Sequence, residues 1–137
     1  GVLARRGVLR AWVVRGADGL DELTTTDATD VIELIDGVEV RGCRVTPEEV
    51  GLRRASTSDI AVGGPEGNAE AATSVLQGRS GPVRDMVVLN AAAALVVADV
   101  ATDLADGLER AARAVDSGEA ARTLGELVAV SRAVRGD

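Results

Sequence analysis

At 137 residues with 46% apolar side chains, the chain is one domain's worth of polypeptide and long enough to bury a core. Its net charge of −7, with arginines scattered among acids, argues against a nucleic-acid surface, where basic patches supply most of the affinity. Histidine is absent, so a Ser-His-Asp triad, a Cys-His pair or a histidine metal site within the chain is excluded, and acid–base or metal work falls to carboxylates.

The apolar residues are mostly Ala, Val and Leu, with one Trp and no Phe or Tyr. Such a core has to be built from small side chains packed closely, as in helix-rich α/β layers. A single cysteine, Cys43, permits no intrachain disulfide and fits a reducing cytoplasm. The first ten residues carry three arginines and no sustained apolar run, so no signal peptide is visible. The longest apolar run, Met86 to Ala98, is broken by Asn90 and is too short to span a membrane.

In chain order, Gly1 to Arg6 reads as the tail of a helix closed by Gly7, so the sequence looks cut rather than begun. Ala11 to Val14 is a β-branched, apolar run that suits a buried strand of a parallel sheet. The chain then breaks at Gly16, turns through Asp18-Gly19, and sets two carboxylates side by side at Asp21 and Glu22. Open α/β sheets bind ligands just past the carboxyl ends of their strands, and this pair falls there. Two adjacent carboxylates on an irregular loop can both reach one hard cation. Mg²⁺ is the natural candidate, since it takes one or two carboxylates plus substrate phosphates. The plainer reading is a solvated loop ahead of a helix start. Thr24-Thr25-Thr26-Asp27 is turn or cap material first, and a phosphate contact second.

Asp36-Gly37, between Val31–Ile35 and Val38–Arg41, predicts a hairpin with a type I′ turn, with Glu33, Glu39 and Arg41 marking a wet face. The second arm runs on through Cys43 and Val45, which makes Cys43 a small core or strand residue and not a nucleophile. Thr46 to Glu49 is a capping box over a short turn that Gly51 ends. Arg53 to Gly64 is loop-like, with one short turn near Ser58 to Ala61; Arg53-Arg54 reads first as a solvated pair, with contact to a phosphate or carboxylate as the alternative. A helix from about Pro65 to Gln77 places Ala69, Ala72 and Leu76 on one face.

Gly81-Pro82 opens a helix running to Ala98 that is apolar nearly all round, as expected of one buried inside a domain. Ala91 to Ala94 let neighbouring backbones approach closely, and Asn90, the lone polar group, reads as a structural hydrogen bond to backbone. Two amphipathic helices finish the chain, one striped by Leu104, Leu108, Ala111 and Val115, the other by Leu124, Leu127, Val128 and Ser131; both are expected to cover the sheet.

Three of these stretches together carry a resemblance. Gly16-Ala17-Asp18-Gly19-Leu20-Asp21-Glu22-Leu23-Thr24 resembles the H-G-x-D-G-L-D-E-L-[ST] segment of anthranilate phosphoribosyltransferases, enzymes of tryptophan biosynthesis. Gly63-Gly64 with Asn68-Ala69 is similar to that family's GGxxxxNA turn, and Gly81-Pro82-Val83-Arg84-Asp85 through Val88-Leu89-Asn90-Ala91-Ala92-Ala93-Ala94-Leu95 to its GPxRDAxxLNAAAAL helix.

The resemblance implies an α/β fold: a partial sheet with a hairpin and a helix-rich carboxyl-terminal half, part of a nucleoside phosphorylase/phosphoribosyltransferase-like domain. Residues 1–137 would be the carboxyl-terminal portion of that α/β domain, without the family's helical amino-terminal domain and diphosphate loop. The implied activity transfers phosphoribosyl from phosphoribosyl diphosphate to anthranilate. Asp21 and Glu22 align with the Mg²⁺-binding acids, and Gly16, Asp18 and Gly19 with the active-site loop. No catalytic acid or base is assigned, and the isolated chain is expected to be inactive. Arg15 stands where the family commonly has His, and Pro65 where an acidic residue is more usual. Homo-oligomerisation, or association with an amino-terminal part, is expected, with neither nucleic acid nor membrane as partner. The alternative is a non-catalytic fragment or paralogue serving as an association module; nucleic-acid-binding relatives of this fold are basic, and this chain is acidic.

Overall fold

A computed structural model describes residues 1–136, apart from the side chains of Glu39, Val40 and Arg41. A short helix, α1 (Val2–Arg5), is closed by Gly7 at a φ of +79°, a left-handed backbone that glycine adopts without a Cβ penalty. Three strands follow: β1 (Ala11–Gly16), β2 (Thr29–Ile35) and β3 (Val38–Val45), in spatial order β1-β2-β3. Both pairings are antiparallel, with Val14 opposite Val31 and Leu34 opposite Glu39.

The parallel strand expected at β1 is therefore not found. Within the described residues β1 pairs only with β2, antiparallel, and Val13 on its outer face is 53% exposed. The exposed face carries Val13 and Ile32 beside Arg15 and Asp30, so the alternation that marks a half-exposed strand is only partial in the sequence. Trp12 and Val14 point the other way, towards the helices.

The hairpin has the expected turn. Asp36 and Gly37 have φ of 50° and 75°, the pair of positive values a type I′ connection requires. The register shifts between Val31 and Glu33: β3 spends three residues from Cys43 to Val40 where β2 spends two, a bulge around Gly42. Glu33 is half-buried and not on a wet face, accepting the Trp12 indole N–H at 2.9 Å; the wet face expected at Glu39 and Arg41 lies outside the described side chains. Cys43 lies on the strand as expected, but exposed and not in the core.

After a single 3₁₀ turn (Glu48–Val50) and a four-residue helix α2 (Thr57–Ile60), the remainder is helical: α3 (Gly64–Leu76), α4 (Pro82–Val97), α5 (Leu104–Asp116) and α6 (Glu119–Arg135). Glu49 accepts the Thr46 N–H at 2.8 Å, one half of the expected capping box. Of the face shared by Ala69, Ala72 and Leu76 on α3, only Leu76 is half-buried. Val75 is buried, Gly67 and Ala71 are half-buried at the preceding i−8 and i−4 positions, and Ala69 and Ala72 are exposed.

α4 is the central helix. Val88, Leu89, Ala92, Ala93 and Val96 are buried, while Val87 and Ala94 reach the surface, so its burial is broad but not complete. One side packs with Val75, Ala111 and Val115; the other meets Leu23, with Trp12 and Val14 of β1 against it. α5 crosses α4 where Gly107 faces Ala92. A Cβ at Gly107 would lie 2.8 Å from the Ala92 carbonyl oxygen, so the close backbone approach anticipated from the alanine run is real and needs glycine opposite.

α6 does not cover the sheet. Its first turn packs, through Ala120, against the core formed by α3, α4 and α5, while further along Leu127 is 64% and Val134 83% exposed. An apolar stripe states that a helix has a sticky side, not what that side meets. No helix among the described residues is long and apolar enough to cross a membrane.

Candidate functional site

The acidic loop occupies residues 17–28, between the carboxyl end of β1 and the start of β2. No helix follows the acid pair; the chain stays irregular until Thr29. Its first bend is tight: the Gly16 N–H donates to the Leu20 carbonyl at 2.8 Å, and the Gly19 N–H to the Gly16 carbonyl at 3.0 Å. Gly19 sits at a φ of +96°. Gly16 is needed for space, because a Cβ there would run into the Asp18 carboxylate and lie 3.2 Å from Thr24 Cγ2.

Asp18 is consumed inside the loop. Its Oδ2 accepts the Thr24 hydroxyl at 2.6 Å and also the Thr26 hydroxyl, while its Oδ1 accepts the Leu20 N–H at 3.1 Å. Burial, the largest single influence, pushes its carboxyl up, but these hydroxyl and backbone bonds together outweigh it and hold the pKa below the ordinary aspartate value. Thr24 and Thr26 thus perform turn chemistry, as expected, with their hydroxyls on a carboxylate, while the buried Thr25 hydroxyl has no partner among the described residues. Thr24 oxygen also accepts the Thr26 N–H at 3.0 Å.

Asp21 and Glu22 are both exposed. Among the described residues neither has a hydrogen-bond or ion-pair partner, in contrast to Asp18. Partial desolvation, then the negative charges of Asp21 and Asp18, hold the Glu22 carboxyl above its ordinary value. An oxygen-only pair under mutual repulsion fits a hard cation. Among the described residues no group of three or more metal-ligating side chains gathers anywhere, so the pair is not an all-protein cage. Mg²⁺ suits such a half-shell because it keeps several waters and completes its coordination with phosphates.

The loop is held from two sides. Leu23 is buried against Leu89 and Ala93 of α4, and its backbone is bound by Asn90. On the far side Arg54 donates through Nε and Nη2 to Glu48 at 2.8 and 3.0 Å, and through Nη1 to Asp27 and to the Thr26 carbonyl, both at 3.2 Å. Arg54 is therefore an ion-paired strut, not half of a solvated pair. Its charge was visible in the sequence, but its partners are up to 28 residues away and no spacing rule finds them. Arg15, at the position where the resembled family commonly has His, is exposed at the end of β1.

The Asp18 knot has a pH signature. A carboxylate whose folded pKa is depressed adds stability that is fully present above its unfolded pKa and is lost as pH falls through the folded value. The parent is expected to lose stability across the acid range below the ordinary aspartate pKa, and Asp18→Asn to show a shallower loss. Urea midpoints for the two proteins at a series of acid pH values measure the difference; parallel profiles would mean that Asp18 is not held by this knot.

Comparison with known proteins bears on what such a loop serves. The model of the glycosyl transferase family, a/b domain, matches residues 1–121. The chain belongs to this family. The chain is similar to the anthranilate phosphoribosyltransferase of Rhodospirillum rubrum, 53% identical over 129 residues, covering 94% of this chain and 37% of that protein. The enzyme of Methylobacterium nodulans is likewise 53% identical, over 96% of this chain and 39% of its own length. Among solved structures, the anthranilate phosphoribosyltransferase of Thermus thermophilus superposes with a TM-score of 0.77 at 39% identity, covering 88% of this chain and 35% of that one. The Saccharomyces cerevisiae enzyme in complex with PRPP and Mg gives a TM-score of 0.77 at 27% identity over 85% of this chain and 33% of its own. The chain thus spans little more than a third of the relatives it matches, and the likeness confirms the mixed α/β fold and the family resemblance of its motifs.

Proposed function

We propose that residues 1–137 are the carboxyl-terminal portion of the α/β domain of an anthranilate phosphoribosyltransferase, in which Asp21 and Glu22 hold Mg²⁺. The observation that carries this reading is the division of labour in the loop: Asp18 is spent on internal hydrogen bonds, while Asp21 and Glu22 are exposed and unpartnered among the described residues. The relatives' names and the Mg in the yeast complex support it. Bound Mg²⁺ would offset the negative charge that builds on a departing diphosphate. The chain's own contribution is to hold two carboxylates on a loop pinned at Leu23 and at Thr26, so that neither has to reorganise. Cytoplasmic placement is part of the proposal, in keeping with one exposed thiol and no disulfide.

The isolated 137 residues are expected to turn over no anthranilate, and the same chain preceded by the amino-terminal part of a relative such as the R. rubrum enzyme to do so. Initial rates with phosphoribosyl diphosphate, anthranilate and Mg²⁺ test this; turnover by the isolated chain overturns it.

The partner proposal is association, with another copy or with an amino-terminal part. Within the described residues β1 has a neighbour on one side only, and beside it Val2, Leu3, Val13, Ile32 and Leu34 line a shallow apolar groove of about 130 Å³. An open strand edge flanked by apolar surface is a known route to association. Sedimentation at micromolar concentration is expected to show a dimer or larger species. A compact monomer that binds no hydrophobic dye counts against it.

A further inference from the structure

Asn90 lies in the middle of α4, half-buried, 67 residues from the loop it touches. Its Oδ1 accepts the Leu23 N–H at 3.0 Å, and its Nδ2 donates to the Leu23 carbonyl at 2.8 Å and to the Met86 carbonyl, one turn back on its own helix, at 3.0 Å. One side-chain amide therefore satisfies both backbone groups of a single loop residue, as a neighbouring strand would. The third bond, to Met86, fixes the amide plane itself. Leu23 follows Glu22 directly, and its side chain is 3% exposed beneath the loop.

The acid pair is thus bracketed. Upstream, the Asp18 carboxylate ties Leu20 to Thr24 and Thr26. Downstream, Asn90 fastens Leu23 to the most buried helix of the domain. Between these two fixed points only Asp21 and Glu22 remain, with the backbone anchored on either side of them. A structural asparagine needs only to satisfy its own polar atoms; this one spends two of its three bonds on the residue next to the carboxylates.

We propose that Asn90 is a positioning residue for Asp21 and Glu22, fixing their direction through both backbone groups of Leu23 and so setting their affinity for a divalent cation. The inference rests on the reading of that pair as cation ligands. Groups that orient metal ligands from behind typically cost 10–100-fold in metal affinity when removed. Asn90 acts one peptide unit away, so the lower end, about tenfold, is expected.

The test is Mn²⁺ binding to the chain itself, followed by paramagnetic broadening of the Asp21 and Glu22 amide signals, with hydrogen exchange of the Leu23 amide read in parallel. Mn²⁺ shares the octahedral oxygen preference of Mg²⁺. Asn90→Ala is expected to weaken binding by about tenfold and to deprotect Leu23. Asn90→Asp keeps an acceptor for the Leu23 N–H and loses the donations; it is expected to fall between, and it carries the comparison if Asn90→Ala does not fold. Val88→Ala, in the same helix but buried against Val75, Ala111 and Val115, lowers stability without touching the clamp and is expected to bind Mn²⁺ as the parent does. Equal weakening by Val88→Ala and the Asn90 variants, or none by either, overturns the proposal and leaves Asn90 a purely structural residue. Broadening in the parent that persists in the Asp21→Asn/Glu22→Gln double variant, or is absent altogether, overturns the cation reading, and that failure is read from the parent and the double variant alone.

Discussion

Asp21→Asn and Glu22→Gln, each placed in the chain joined to the amino-terminal part of a relative, are expected under the proposed function to lower kcat/KM for phosphoribosyl transfer by about 10²–10³, the scale set by loss of one electrostatic stabiliser. Both substitutions keep the shape of the side chain and remove its charge. The fold should survive them, because both residues are exposed and neither is bonded within the described residues. If the two acids serve one metal, the double variant should be scarcely worse than the worse single one, since groups acting as a unit are non-additive. Initial rates against Mg²⁺ concentration for the four proteins of the cycle decide it. Independent, multiplying defects would mean that the acids do not share a cation. Near-parental rates in both singles would make the loop a solvated turn and nothing more. Asp18→Asn forms the instructive contrast, since its carboxylate is occupied by Thr24, Thr26 and Leu20 and its loss should be felt first in the loop's stability.

What the sequence disclosed and what it hid divide along the range of the interactions. Asp36-Gly37 announces its turn because the required φ values belong to those two residues alone. Pro82 opens α4, Gly51 and Gly78 adopt left-handed backbone just past their helical turns, and the stripe of α5 faces the core, all for reasons settled within one or two helical turns. The exposure of Asp21 and Glu22 on an irregular loop past β1 is likewise local. The partners of β1, the Thr26 and Asp27 partners of Arg54 and the Leu23 partner of Asn90 lie 13 to 67 residues away and follow from topology, which no local pattern encodes. Asn90 is the telling case. A lone amide in an alanine run declares that it must find a backbone partner, but not that the partner is the residue beside the acid pair. In β1 and α6 the pattern itself misled: Val13 stands on an exposed strand face and Leu124 and Leu127 on an exposed helix face, so composition suggested burial that the described residues do not supply.

The helix that carries Asn90 sets the second large expectation, at Ala92. This residue is 0% exposed and faces Gly107, where the α4 and α5 backbones approach so closely that even a methyl group would lie 2.8 Å from the Ala92 carbonyl oxygen. Backbone on both sides leaves nothing flexible to give way. Ala92→Leu should therefore cost about 1–3 kcal/mol of stability, and Ala92→Arg, which buries an unpaired charge, should prevent folding. Gly107→Ala tests the same contact from the other helix. Glycine to alanine in a helix interior normally gains about 1 kcal/mol in propensity, so a net loss there isolates the clash. Ala94→Leu is the control: it lies on the same helix two residues on, at the surface, and should stay within about 0.5 kcal/mol of the parent. Thermal melts of the five proteins give the ranking. If Ala92→Leu and Gly107→Ala melt with Ala94→Leu, α4 and α5 do not cross at this point. If they fall as expected, a shift of α4 away from α5 should also loosen Leu23, because Asn90 stands only two residues before Ala92. Hydrogen exchange of the Leu23 amide in folded Ala92→Leu reads that coupling directly, from core packing to the loop that presents the acids.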